Sequence, residues 1–127
     1  MSTVKYTKQD ENDLEDSPVD GFLQIRSATK MYRTPEGGSI RALDDVTLHI
    51  RSNEFISLLG PSGCGKTTLL KCIAGFEDLD HGDITLTGQS LTRIPAHRRP
   101  FNTVFQNYAL FPHLTVERNV AYGLDVA

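Results

Sequence analysis

The sequence predicts an α/β fold in which a strand, a glycine-rich turn and a helix follow one another directly, with an antiparallel pair of strands upstream. Three observations carry that prediction. Phe55-Ile56-Ser57-Leu58-Leu59 is a short, nearly continuous apolar run of the kind found in strands buried on both faces. Gly60-Pro61-Ser62-Gly63-Cys64-Gly65 follows at once, and from Lys66 to Ala74 the residues Leu69, Leu70, Ile73 and Ala74 recur at helical spacing, with Gly75 placed to end the helix. Upstream, Val46, Leu48 and Ile50 alternate with Thr47 and His49, the period of a half-buried strand. The segment from Phe22 through Lys30-Met31-Tyr32 offers it an antiparallel partner across a turn at residues 35–38, Pro-Glu-Gly-Gly.

The remaining elements follow in order. Asn53-Glu54 breaks the second strand before the apolar run begins. Residues 83–87 alternate again and turn at Gly88, and residues 101–106 (Phe-Asn-Thr-Val-Phe-Gln) read as a further strand. A strand buried on both faces needs parallel neighbours, and residues 101–106 are the segment available to supply one. Thr115 can cap a final helix that puts Val116, Val120 and Leu124 near one face, although Arg118 stands where a capping box wants Glu or Gln. Residues 1–21 are polar and acidic, a composition that cannot repay its ordering entropy, and are expected to form a disordered leader. Residues 22–127 are expected to form one unit.

Composition excludes several classes of function. With 39% hydrophobic and 23% charged residues the chain resembles ordinary globular domains. No run approaches the roughly 18 apolar residues of a membrane-spanning helix, so a membrane role is expected only through a partner. The start lacks the apolar core and cleavage site of a secretory signal. Cys64 and Cys72 are the two cysteines and have no companion pair at zinc-ligand spacing, which fits a reducing compartment. Residues 1–20 hold six acids and two bases, whereas the rest of the chain holds ten acids and eleven bases. The acidity belongs to the leader, and no basic cluster interleaved with aromatics points to nucleic acid as a partner.

Gly60-Pro61-Ser62-Gly63-Cys64-Gly65-Lys66-Thr67 matches the Walker A pattern G-x-x-x-x-G-K-[ST] in full. A phosphate must be wrapped by backbone N–H groups at close range, which positions without side chains permit. Lys66 then offers a compact positive charge to the β and γ phosphates, Thr67 a hydroxyl to Mg²⁺, and the helix start its positive end. Thr68 continues that first turn. The motif in its strand–loop–helix context predicts a P-loop nucleotide-binding core.

Beyond the motif, the region from Leu23 to Leu124 resembles the ATP-binding subunits of ABC transporters. The resemblance rests on Tyr32, the 60–68 run Gly-Pro-Ser-Gly-Cys-Gly-Lys-Thr-Thr, Ile73-Ala74-Gly75 and Gly82-Asp83-Ile84. It continues through residues 104–113, Val-Phe-Gln-Asn-Tyr-Ala-Leu-Phe-Pro-His, and Asn119-Val120. It implies an ABC ATPase core with an N-terminal antiparallel β-subdomain, and within the family it leans toward the spermidine/putrescine branch among polyamine, sugar, sulfate and iron importers. It implies ATP and Mg²⁺ as cofactors, Lys66 and Gln106 as catalytic residues, and Thr67 and Gln106 as those nearest the metal. Tyr32 matches the aromatic that stacks on adenine, beside the loop residues 60–68. The implied partners are transmembrane permease subunits and a second ATP-binding subunit, at the cytoplasmic face of the inner membrane. Tyr108, Leu110 and Phe111 lie in a Pro-containing loop where the resemblance implies contact with the permease. Packing of these side chains beneath the final helix is the alternative for each.

Other residues read as ordinary. His49, His81, His97 and His113 share no ligand spacing, Arg98-Arg99 reads as a charged loop pair, and Cys64 as a steric choice whose alkylation should block the site. Hydrolysis also needs carboxylates at the end of a second core strand. No four apolar residues followed by Asp-Glu occur in this sequence, and neither does the Leu-Ser-Gly-Gly-Gln type signature nor the family's later histidine. The chain is therefore expected to be the N-terminal part of a longer subunit, the C-terminal half of the domain being absent and hydrolysis lying outside its own reach. A non-catalytic nucleotide-binding remnant and a small-molecule kinase are the alternatives considered, the latter lacking a lid with arginines.

Overall fold

The computed structural model describes residues 5–8 as backbone, and residues 22–61, 63 and 65–127 in full. Its main sheet has four antiparallel strands in the order β3-β2-β5-β6. These are β2 (Leu23–Arg33), β3 (Ser39–Ile50), β5 (His81–Leu86) and β6 (Gln89–Ser90). The β2–β3 hairpin runs in the expected register, with Leu23 opposite Ile50, Ile25 opposite Leu48 and Tyr32 opposite Ile40. Its turn is closed by Thr34 N–H donating to the Gly38 carbonyl at 2.9 Å. Register shifts between Ile25 and Met31 interrupt the ladder of β2, whose first residues Leu23, Gln24 and Ile25 are all buried, Leu23 and Ile25 in the core.

Helix α1 (Lys66–Ala74) packs on this sheet through Leu69 and Cys72. They meet Ile25, Ala28, Leu43, Leu48, Ile84 and Leu91 in a single apolar cluster. Ile25 and Leu69 are wholly enclosed, and each such side chain contributes roughly 1.5–3 kcal/mol of transfer free energy. Gly75 ends the helix as its composition predicts: at φ +87 it adopts the left-handed cap and donates to the carbonyls of Lys71 and Cys72.

Strand β4 (Ile56–Leu59) carries the apolar run. Ile56 and Leu58 pack against the core cluster, while Phe55 and Leu59 are 76% and 55% exposed. Its hydrogen-bonded neighbour is β1 (Lys5–Lys8), antiparallel, with Lys5 opposite Leu59 and Lys8 opposite Ile56. This segment lies within residues 1–21, the expected leader. The N–H and C=O groups along a strand edge require partners, and four leader residues supply them whatever their composition. The remainder of residues 1–21 lies outside the described residues.

Residues 101–106 depart from expectation, because they form no strand. Extended structure is stable only when its ladder is completed, and among the described residues no strand runs beside this segment. Val104 is 89% exposed as a result. Helix α2 (Val116–Asp125) starts where Thr115 was expected to cap it, its hydroxyl accepting from Arg118 N–H at 3.2 Å. Val116, Val120 and Leu124 share a face that points to solvent.

Candidate functional site

The glycine loop joins the end of β4 to the start of α1, as its sequence context requires. Gly63 and Gly65 take φ values of +79 and +97, in the left-handed region that glycine alone enters without cost. Gly65 is required for a second reason. A Cβ there would lie 2.3 Å from the Ala42 carbonyl of β3, so the loop is pressed directly on the β2–β3 hairpin. Ser62 and Cys64 lie outside the described residues.

Helix α1 opens toward the loop with no acidic residue in its first turn and no side-chain cap at Gly65. The first N–H groups of a helix have no partner within it and carry partial positive charge, so this start is suited to an anion. The Lys66 ammonium folds back over the loop and donates to the carbonyls of Gly60 and Pro61. Thr67 and Thr68 complete the first turn, the Thr67 side chain being exposed.

A cleft of about 430 Å³ opens in front of this turn, lined by Gly63, Gly65, Lys66, Thr67 and Thr68 on one side. On the other side are Tyr32 from the end of β2 and Ile40 and Ala42 from β3. Tyr32, expected from the resemblance to be the adenine-stacking aromatic, lines the same cleft as the phosphate loop. Ile40 and Ala42 were not singled out. They follow from register alone, since Tyr32 pairs with Ile40 across the hairpin. The volume suits a ligand of nucleotide size, and the groups present fit a phosphate chain: a positive side chain, an uncapped helix start and glycines at positive φ. For a magnesium ion on such phosphates the exposed Thr67 hydroxyl is a suitable oxygen ligand.

Gln106 is not among the residues lining the cleft. It is exposed and begins a turn in which Tyr108 N–H donates to the Phe105 carbonyl at 2.9 Å. The loop that follows divides its side chains: Tyr108 and Leu110 are 76% and 67% exposed, whereas Phe111 is half-buried against Tyr122, with ring centroids 4.5 Å apart. Packing beneath the final helix therefore applies to Phe111, and Tyr108 and Leu110 face solvent.

Sequence reasoning missed Arg99. It is not a solvated loop charge but 8% exposed, with Nε donating to the Ile94 carbonyl at 2.7 Å and Nη1 to those of Cys72 and Ile73 at 2.9 and 3.0 Å. Burial lowers its pKa, against the raising influence of Asp78. No sequence pattern signals such a clamp, because the carbonyls it binds lie 26 and 27 residues away.

A glycine loop between a strand and a helix, on an α/β framework with an antiparallel β-subdomain, defines a P-loop protein. Comparison narrows the class: residues 43–126 match the model of the ABC transporter family, and the chain belongs to that family. It is 54% identical over 108 residues to the spermidine/putrescine import ATP-binding protein of Roseobacter denitrificans, covering 85% of this chain and 28% of that protein. The protein of the same name from Protochlamydia amoebophila is 64% identical over 86 residues, covering 68% of this chain and 23% of the relative. Among solved structures, a bacterial ABC transporter cassette in dimeric form matches with a TM-score of 0.68 and 28% identity, over 82% of this chain and 47% of that one. The same cassette matches equally in a post-hydrolysis state bound to ADP and Pi. The chain thus spans about a quarter of the length of these curated relatives. No helix among the described residues is long and apolar enough to cross a membrane.

Proposed function

We propose that this chain is the nucleotide-binding front of an ATP-driven importer subunit, with MgATP held between Tyr32 and the phosphate loop. The observation that carries the proposal is the shared cleft: an aromatic side chain and the first turn of α1 line one space of about 430 Å³. The Tyr32 ring offers the base a stacking face, which needs no base-specific hydrogen bonds. Backbone N–H groups of the loop and helix start hold the phosphates, and Lys66 leaves the Gly60 and Pro61 carbonyls to bind the β and γ phosphates. Thr67 holds the metal, which when bound neutralises charge developing on the phosphates. Gln106 reaches the γ-phosphate side of the site through movement of the turn that it begins.

Hydrolysis and import belong to the longer protein, where a second ATP-binding subunit and permease subunits complete the machine at the cytoplasmic face of the membrane. Tyr108 and Leu110, exposed on a loop, are suited to the permease contact. The names of the relatives support a polyamine as the cargo.

Isothermal titration of the chain with MgATP tests the binding step. Saturable binding is expected, weakened about ten- to a hundred-fold by Lys66→Ala, in line with a lost charge-assisted contact. Equal affinity of the two proteins, or none in the unaltered chain, would sink the proposal.

A further inference from the structure

Arg99 and Phe105 bracket the segment that leads into Gln106, and both are fastened to the same place. Arg99 Nη1 binds the carbonyls of Cys72 and Ile73 in the last turn of α1. Those carbonyls are among the four at a helix end that lack intrahelical partners and carry partial negative charge, which a guanidinium complements. Gly75 makes room for the contact, since a Cβ there would lie 2.7 Å from Arg99 Nε. Six residues further on, the Phe105 ring packs on Phe76 with centroids 5.6 Å apart, and Phe76 is itself bonded through its N–H to the Lys71 carbonyl at 2.9 Å. The 99–105 segment has no strand neighbour to define its path among the described residues, so these two attachments and the packing of Phe101 on the core do so.

Helix α1 is a nine-residue rod whose first turn carries Lys66, Thr67 and Thr68. Its last turn holds Arg99, and Phe76 just past its end meets Phe105, roughly 10 Å from the first turn by the rise of an α-helix. We propose that Arg99, seconded by Phe105, is a positioning residue for Gln106: by fixing the 99–105 segment to the end of α1, it sets where Gln106 stands relative to the phosphate loop at the helix start. The proposal rests on the reading of Gln106 as the residue that approaches Mg²⁺ and the γ-phosphate. A simple helix cap would stabilise α1 and affect every phosphate contact alike. A positioning residue affects only the contact made through Gln106.

The test is ATP affinity of the 127-residue chain, measured by isothermal titration with Mg²⁺ and with EDTA, in the unaltered protein and in Gln106→Ala, Arg99→Met, Arg99→Lys and Phe105→Leu. The expected result is near-unchanged affinity in EDTA and a Mg²⁺-dependent gain reduced about ten-fold in Gln106→Ala and Arg99→Met, within the range of coupling between sites. Arg99→Lys, which retains a charge at the helix end, should recover part of the gain. The Gln106→Ala/Arg99→Met double variant should lose no more than either single one. Equal weakening in Mg²⁺ and in EDTA makes Arg99 a structural cap and overturns the proposal. A full Mg²⁺-dependent gain in the Arg99 and Phe105 variants, with the gain lost in Gln106→Ala, overturns it too and leaves the reading of Gln106 in place. A full gain in Gln106→Ala overturns that reading and the proposal with it. Should circular dichroism show Arg99→Met unfolded, Arg99→Lys and Phe105→Leu decide by the same criteria.

Discussion

The Asn119 side chain binds both backbone groups of Phe111: Oδ1 accepts from the Phe111 N–H at 2.9 Å and Nδ2 donates to its carbonyl at 3.2 Å. Nδ2 also donates to the carbonyls of Leu114 and Thr115, so one amide on α2 fixes the path of the preceding loop. This is what allows Phe111 to turn inward while Tyr108 and Leu110 turn out. Asn119→Ala is expected to cost about 1–3 kcal/mol, because part-buried backbone groups lose their partners. Thermal denaturation would register the loss, and chymotrypsin should cleave faster at Tyr108 and Leu110, the bond after Phe111 being protected by Pro112. Unchanged melting and cleavage would show that the loop is held by other means.

Gly65 and Gly63 should respond differently to replacement by alanine. At Gly63 the added methyl meets open space, so Gly63→Ala carries only the strain of its φ of +79, about 1–3 kcal/mol. At Gly65 the same strain is joined by a clash with the Ala42 carbonyl, and the loop must withdraw from the hairpin. Gly65→Ala is expected to be the less stable of the two and to lose MgATP binding more completely. Urea denaturation and nucleotide titration of both variants provide the comparison.

Asp83 gives stability an acid limit. Burial raises its pKa, but the hydroxyls of Ser90 and Thr92, the Ile84 N–H and the charge of Arg26 outweigh that and lower it below the ordinary 3.8. Ser90 Oγ donates at 2.6 Å and Ile84 N–H at 2.9 Å. A carboxylate whose folded pKa is depressed contributes stability that is fully present above its unfolded value, about pH 4, and is lost as pH falls through the folded value. Asp83→Asn should therefore lower stability at neutral pH and flatten its decline as pH falls below about 4. Equilibrium denaturation across that range would detect an unaltered slope if the effect is absent.

Cys72 is 1% exposed, and burial pushes its thiol up to about 11. The thiolate is the reactive form, so Cys72 should resist iodoacetamide at pH 8 in the folded chain and react upon denaturation. Mass spectrometry of the alkylated peptides separates this residue from Cys64. Ready modification of Cys72 under native conditions would show that the α1 core opens far more often than its packing implies.

What was legible in the sequence was whatever depends on near neighbours. The β2–β3 hairpin, the loop-to-helix junction, the Gly75 cap and the Thr115 cap are all set by residues within one turn or one strand crossing, and each is found where its pattern places it. Residues 101–106 have the composition of a strand, but a strand is completed by a partner that composition does not name. The pairing of Lys5–Lys8 with β4 escaped notice for the converse reason, since an open edge accepts a segment with little strand character. Within the site, the phosphate loop was visible as a motif, whereas Ile40 and Ala42 gain their places only from folding, as Arg99 does at the far end of α1.

The contact of Gly65 with the Ala42 carbonyl has a consequence for how such a chain can change over generations. A clash with a side chain can be relieved by a second, compensating substitution, but a clash with a backbone carbonyl cannot, because every residue at position 42 presents the same oxygen. Inherited variation is thereby barred from position 65 and left open at Tyr32 and Ile40, whose side chains shape the opposite wall. The loop's side of the cleft is locked, while the opposite wall can drift.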